Sequence, residues 1–166
     1  MPRSGDYIEA PNQEKIEFLR TKHETGGALS EVRVRFEPNS AAPPAHFHPN
    51  QDEHFEVVRG AFVVQLNGES RTFSSGDSFD IPRTTVHSMY NASDEHGELI
   101  WQTRPALQTG ELFDKLWTIK RDAGETRSKW TWLHYIKAFS SHQNEIILVT
   151  PPRPIQRILF LLARMA

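Results

Sequence analysis

The chain contains no cysteine, which excludes a disulfide framework, a thiolate nucleophile and any zinc or iron–sulfur site built on sulfur. A metal held by this protein must sit on nitrogen and oxygen. Charge of one sign is also missing. Nineteen lysines and arginines face 21 aspartates and glutamates, for a net charge of −2, so no basic field recommends nucleic acid or an anionic membrane as partner. Long apolar runs are absent as well: the longest, Ile158 to Ala163, is far short of the ~20 residues that span a bilayer. Arg3, Asp6 and Glu9, with no apolar run behind them, predict that there is no secretory signal. A cytoplasmic protein is the expectation, and a thiol-free chain is compatible with that compartment.

What is present is 166 residues, enough for one domain with an appended segment, and eight histidines. Residues 1–30 read as an N-terminal arm with one short strand or turn near Ile16, Phe18 and Leu19, ended by Gly26-Gly27. From Glu31 onward Val32, Val34 and Phe36 alternate with Arg33, Arg35 and Glu37, the period-2 pattern of a half-buried strand. Further short strands are predicted at about 45–48, 53–59, 61–66, 70–73, 78–81, 86–91 and 98–104. Their close spacing predicts an antiparallel, mainly β sandwich or barrel over residues 31–104. Asn67-Gly68 is the strongest hairpin signal, because a type I′ turn needs positive φ at both central residues.

After Arg104-Pro105 the pattern turns helical, so residues 105–166 are predicted to form a C-terminal helical extension. Leu112, Phe113, Leu116 and Trp117 recur at helical spacing behind Thr109 as N-cap, and Leu133 and Ile136 mark a second helix behind Ser128. Residues 145–149 fit either a strand or a buried helix end. A final helix runs from Ile155 to Met165 with Pro154 in its first turn. It is apolar on more than one face, so it is expected to pack between elements, to meet another subunit, or to belong to a chain cut before its natural end. Trp117, Trp130 and Trp132 are expected to anchor this extension.

The chemistry concentrates in the β region. Residues two apart on a strand share a face, so His46 and His48 point together while Phe47 faces away. Glu53 shares its side with Phe55 and Val57, His54 and Glu56 face outward, and His87 lies on a later strand in parity with Met89. Three imidazoles and a carboxylate converging inside a barrel would cost several kcal/mol if left unpaired. A bound cation resolves that conflict. Three nitrogens and one oxygen suit one divalent first-row ion such as Fe, Mn, Ni, Cu or Zn.

These residues resemble the cupin family. Its first motif, G-x5-H-x-H-x3,4-E-x6-G, is matched by His46-x-His48-x4-Glu53-x6-Gly60, with Ser40 in the place of the leading glycine. Its second, G-x5-P-x-G-x2-H-x3-N, is matched by Gly76-x5-Pro82-x-Thr84-x2-His87-x3-Asn91, with Thr84 for the middle glycine. Both departures fall at turn positions rather than at ligands. The resemblance implies a jelly-roll barrel, a divalent metal on His46, His48, Glu53 and His87, and a homodimer. It does not imply one activity, because a fold does not fix function.

The function expected is that of a metal-dependent enzyme, oxygenase-like, acting on a small and partly apolar organic molecule, with Glu53 also serving as catalytic base. Isomerisation or decarboxylation is a variant, and a non-catalytic binding or sensing module is the alternative from another class. Phe36, Phe55, Met89 and Trp101 are candidates to line an apolar pocket, and fit equally well as ordinary barrel core. His23, His54, His96, His134 and His142 are expected at the surface or an interface.

Overall fold

The structure is a computed structural model that describes residues 1–124 and 129–165. In chain order the strands are β1 (Tyr7–Glu9), β2 (Lys15–Arg20), β3 (Ser30–Phe36), β4 (His46–Phe47), β5 (Asp52–Arg59) and β6 (Ala61–Leu66). They continue as β7 (Glu69–Ser74), β8 (Ser78–Ile81), β9 (His87–Asn91), β10 (Gly97–Arg104) and β11 (Ile147–Leu148). The helices are α1 (Thr109–Ala123), α2 (Lys129–Ser141) and α3 (Arg153–Met165). None of these helices is long and apolar enough to cross a membrane.

The alternating segments pair into two antiparallel sheets, ordered β1-β2-β3-β10-β5-β8 and β11-β4-β9-β6-β7. Together they form a jelly-roll barrel with a C-terminal helical extension. Phe55, Val57, Phe79, Ile81 and Leu99 from the first sheet meet Phe62, Val64 and Met89 from the second in one apolar core. The polar residues between them, such as Glu56 and Asp80, face outward, as period 2 requires. The β6–β7 hairpin turns on Asn67 and Gly68 with φ of 50° and 92°, the two positive values that its sequence predicts.

The expectation of a single short strand in the N-terminal arm is corrected. Two strands form there, and β2 pairs with β3 so that Ile16 opposes Val34 and Phe18 opposes Val32. The energetic reason is a second apolar cluster, in which Ile8, Ile16, Phe18, Val32 and Val34 are covered by Phe113 of α1. Burying side chains of this size contributes roughly 1.5–3 kcal/mol each. Two ion pairs fasten the helix to the same region: Lys22 to Glu111 at 3.2 Å, and Lys120 to the buried Glu14.

Thr109 is not the N-cap of α1. Gln108 takes that position without a side-chain capping bond, while Thr109 is buried and its Oγ1 accepts a hydrogen bond from Gln51 Nε2 at 2.7 Å. Ser128, expected before α2, lies outside the described residues, as does the side chain of Trp130. Trp117 packs on Phe113 with ring centroids 5.9 Å apart, whereas Trp132 is exposed, its ring centroid 6.5 Å from that of Tyr135 on the same helix. The ambiguous segment 145–149 contains a strand: β11 pairs with β4, Ile147 opposite Phe47 and Leu148 opposite His46. On α3, Gln156 is buried and donates to Leu148 O at 2.8 Å, while Ile155, Ile158, Leu161 and Leu162 are exposed.

The two motif departures have different consequences. Ser40 is buried, donates its N–H to Asn91 O at 3.0 Å and accepts the Asn91 N–H on Oγ at 2.9 Å, so its hydroxyl adds a bond that glycine could not make. Thr84 adopts φ 66°, the left-handed region that a β-branched residue enters only under strain. It is held there while its N–H donates to His48 O at 2.8 Å.

Relief of that strain predicts that Thr84→Gly raises stability by about 1 kcal/mol, read as a higher urea midpoint. Phe113→Ala should instead cost about 3 kcal/mol in the same titration. A loss below about 0.5 kcal/mol, the range of an ordinary surface change, would show that α1 is not part of the core.

Candidate metal centre

Register brings the first two groups together: β4 pairs with β9 so that His46 lies directly opposite His87. His48 follows one residue after β4, on the same face as His46. Glu53 enters from the other sheet, on β5 between Ile81 of β8 and Thr103 of β10. All four side chains are buried. The ring centroids of His46 and His87 are 4.4 Å apart, and those of His48 lie 5.3 and 5.2 Å from them. Each imidazole offers a ring nitrogen, and these three atoms lie within 4.8 Å of one another.

Main-chain carbonyls decide which nitrogen that is. His46 Nδ1 lies 2.9 Å from Pro44 O, His48 Nδ1 2.6 Å from Glu145 O, and His87 Nδ1 2.9 Å from Thr85 O. A carbonyl only accepts, so each Nδ1 must carry hydrogen, and in the neutral ring the lone pair is then on Nε2. Glu53 is placed against those lone pairs, with His48 Nε2 3.2 Å from Oε1 and His87 Nε2 3.2 Å from Oε2. The oxygen facing His48 is also tied by Trp101 Nε1, which donates to Oε1 at 2.9 Å.

The electrostatics follow from this crowding. Burial, then the neighbouring His87 and His48, push His46 down to about 3, so it is neutral at physiological pH. Burial alone would raise Glu53, but the facing His48, His87 and His46 outweigh it and hold the carboxyl below its usual value. Burial likewise opposes a proton on His87, yet the adjoining Glu53 carboxylate overcomes it and lifts His87 above the ordinary imidazole value. His48 Nε2 and Glu53 Oε2 are nevertheless buried with no hydrogen-bond partner among the described residues. A divalent cation satisfies both lone pairs at once, so this donor set fits a first-row metal.

The other sequence candidates divide. Trp101 is brought to the centre by its indole N–H. Phe55 and Met89 are buried in the barrel core, with Phe55 stacked on Phe79 at 4.9 Å, and Phe36 packs edge-on to Phe62 at 5.3 Å. His54 faces outward and pairs with Asp80 at 2.8 Å. His142 corrects the expectation of a surface residue: it is 1% exposed, with Nδ1 2.7 Å from Ala138 O. Sequence reasoning missed Glu145 entirely, because a main-chain carbonyl leaves no signature in residue type.

The barrel is a cupin domain: residues 32–103 match the family model described as "Cupin domain". A solved RmlC-like cupin from Shewanella frigidimarina superposes with a TM-score of 0.54 at 23% identity, over 66% of this chain and 92% of that one. Oxidoreductase macE of Penicillium terrestre is 44% identical over 50 residues, 29% of this chain and 19% of that protein. Germin-like protein 5-1 of Oryza sativa is 30% identical over 101 residues, 58% of this chain and 43% of its own. The chain spans less than half the length of the curated relatives it matches.

Trp101→Phe keeps the ring but removes the bond to Glu53, and should weaken cobalt or nickel affinity at least about tenfold in a chelator competition titration. A proton on the elevated His87 competes with metal, so affinity should fall as pH drops below that group's raised value. Calorimetry in buffers of different ionisation enthalpy should then show proton release on binding, and a pH-independent affinity across this range would contradict the assignment.

Proposed function

We propose that His46, His48, Glu53 and His87 hold one divalent first-row metal ion, and that the protein is an oxygenase-like enzyme acting on a small, partly apolar organic molecule. The observation that carries the reading is the set of three Nδ1–H to carbonyl bonds, which leave three Nε2 atoms beside one another, two of them 3.2 Å from the ionised, buried Glu53 carboxylate. The name oxidoreductase carried by the Penicillium relative, which is similar over 50 residues, supports the redox half of the proposal. When bound, the ion would supply Lewis acidity and, for iron, manganese, nickel or copper, a redox couple.

The chain's own groups do the rest. Glu53 is ionised at neutral pH and held on Oε1 by Trp101, which leaves Oε2 as the atom placed to take a proton from an enol or phenol. Phe36, Phe55, Met89 and Trp101 form the apolar surroundings that would exclude water and favour an uncharged ring or chain. The three imidazoles stay in place throughout, because each is tied through Nδ1 to the backbone. A homodimer working in the cytoplasm completes the proposal.

A second reading, ligand binding without turnover, is favoured by one observation: the barrel interior behind the centre is filled, with Phe55, Phe62, Val64 and Leu99 fully buried. Oxygen uptake by iron-, manganese-, nickel- or copper-loaded protein supplied with flavonols and β-diketones separates the two. The enzyme reading predicts uptake that stops in Glu53→Gln. Turnover that persists under strict anaerobiosis would sink the oxygenase form in favour of isomerase or decarboxylase chemistry. Saturable binding with no product would establish the second reading.

A further inference from the structure

The three imidazoles are not oriented in the same way. His46 and His87 each bond a carbonyl two residues earlier in the chain, Pro44 and Thr85, so their own strands fix them. His48 bonds Glu145 O, 97 residues away, and at 2.6 Å this is the shortest of the three contacts. Glu145 lies outside the segment 32–103 that matches the family model. The barrel therefore does not orient one of its own imidazoles, and the helical extension does.

The segment that delivers Glu145 is held at several points. β11 pairs with β4, Val149 N–H donates to Ala45 O at 2.9 Å, and Asn50 Nδ2 donates to Asn144 O at 3.1 Å. The Glu145 side chain is buried, and its Oε1 accepts the N–H of Gln108, the residue that caps α1, at 3.2 Å. The N–H groups of Glu145 and Ile146 donate to His142 O at 3.1 and 3.0 Å. From the other side, the buried Gln51 donates through Nε2 to Pro105 O, Ala106 O and Thr109 Oγ1. The loop from His48 to Gln51 is thus gripped by the start of α1 and by the strap after α2.

We propose that Glu145 is a positioning residue for the centre. Its carboxylate, bonded to the Gln108 N–H, sets its main-chain carbonyl, and that carbonyl holds His48 as the Nδ1–H tautomer with Nε2 turned to Glu53. The competing tautomer is well defined: hydrogen on Nε2 would point at Glu53 Oε1, 3.2 Å away, and would block that nitrogen as a ligand. The extension is in this sense a part of the centre. The inference rests on the metal reading above, but its central contact exists in the metal-free protein and can be tested there.

The test is long-range nitrogen–proton NMR of the full chain, metal-free, at about pH 9, above the ordinary imidazole range. His48 is expected as the Nδ1–H tautomer in the unaltered protein. Glu145→Ala should mix the two tautomers at His48 while leaving His46 and His87 unchanged. Glu145→Gln, whose amide oxygen can still accept the Gln108 N–H, should restore the original signal. Cobalt affinity should fall roughly 10–100-fold in Glu145→Ala and recover in Glu145→Gln.

An Nε2–H tautomer at His48 in the unaltered protein would overturn the proposal without any variant being needed. So would a folded Glu145→Ala that keeps both the tautomer and the affinity within about twofold, a change too small for losing the hydrogen bond that orients a ligating imidazole. If the unaltered protein takes up no cobalt, nickel, manganese or iron, the metal reading fails, and the tautomer at His48 still decides this one.

Discussion

Everything at this centre depends on three hydrogen bonds from imidazole N–H groups to backbone carbonyls. Without them each ring could place hydrogen on either nitrogen, and the lone pairs would have no common direction. With them, three Nε2 atoms and the Glu53 carboxylate are acceptors crowded into a buried space, an arrangement that costs several kcal/mol unless positive charge satisfies it. A proton between His87 and Glu53 does this in part, and a divalent cation does it fully. The same feature that makes the site unfavourable when empty of charge makes it compatible with a divalent metal.

The fold supplies this arrangement by sharing it between two sheets. β4 and β9 present His46 and His87 face to face from one sheet, while β5 brings Glu53 across the barrel from the other. Trp101, next to β5 on β10, donates to Glu53 Oε1 and links outward through Phe113, with ring centroids 4.7 Å apart, to α1. A hydrogen bond to a charged acceptor is worth about 1.5–3 kcal/mol, so the indole helps keep Glu53 ionised and aimed. The two apolar clusters meet at Trp101 and Phe36, and the chemistry sits beside that junction.

Much of this was legible because strand geometry is written in residue parity. Strand parity and the resemblance to the cupin motifs together point to His46, His48, Glu53 and His87, and Asn67-Gly68 announces its hairpin. What stayed hidden was set by partners rather than by pattern. β1 is three residues long and β11 two, too short for any period, and each exists because a neighbouring strand offers it hydrogen bonds. Thr84 falls at a turn position of the motif, and the surrounding contacts force it into glycine's backbone conformation. Residue type suggests the surface or an interface for His142, and an apolar pocket wall or barrel core for Trp101, but burial and one indole N–H decide their places. The bond between His48 and Glu145 joins residues 97 apart through a backbone atom, and no reading of side-chain types could have found it.

The central claim is that these four residues are a metal centre, and the metal content of the purified protein tests it most directly. Elemental analysis after reconstitution and removal of loose ions should find about one first-row metal per chain, as expected of a single three-nitrogen, one-oxygen site. The metal should be lost when His46 and His87 are replaced together by alanine. A folded protein that retains no such metal, or that retains it equally after the double replacement, would contradict the account.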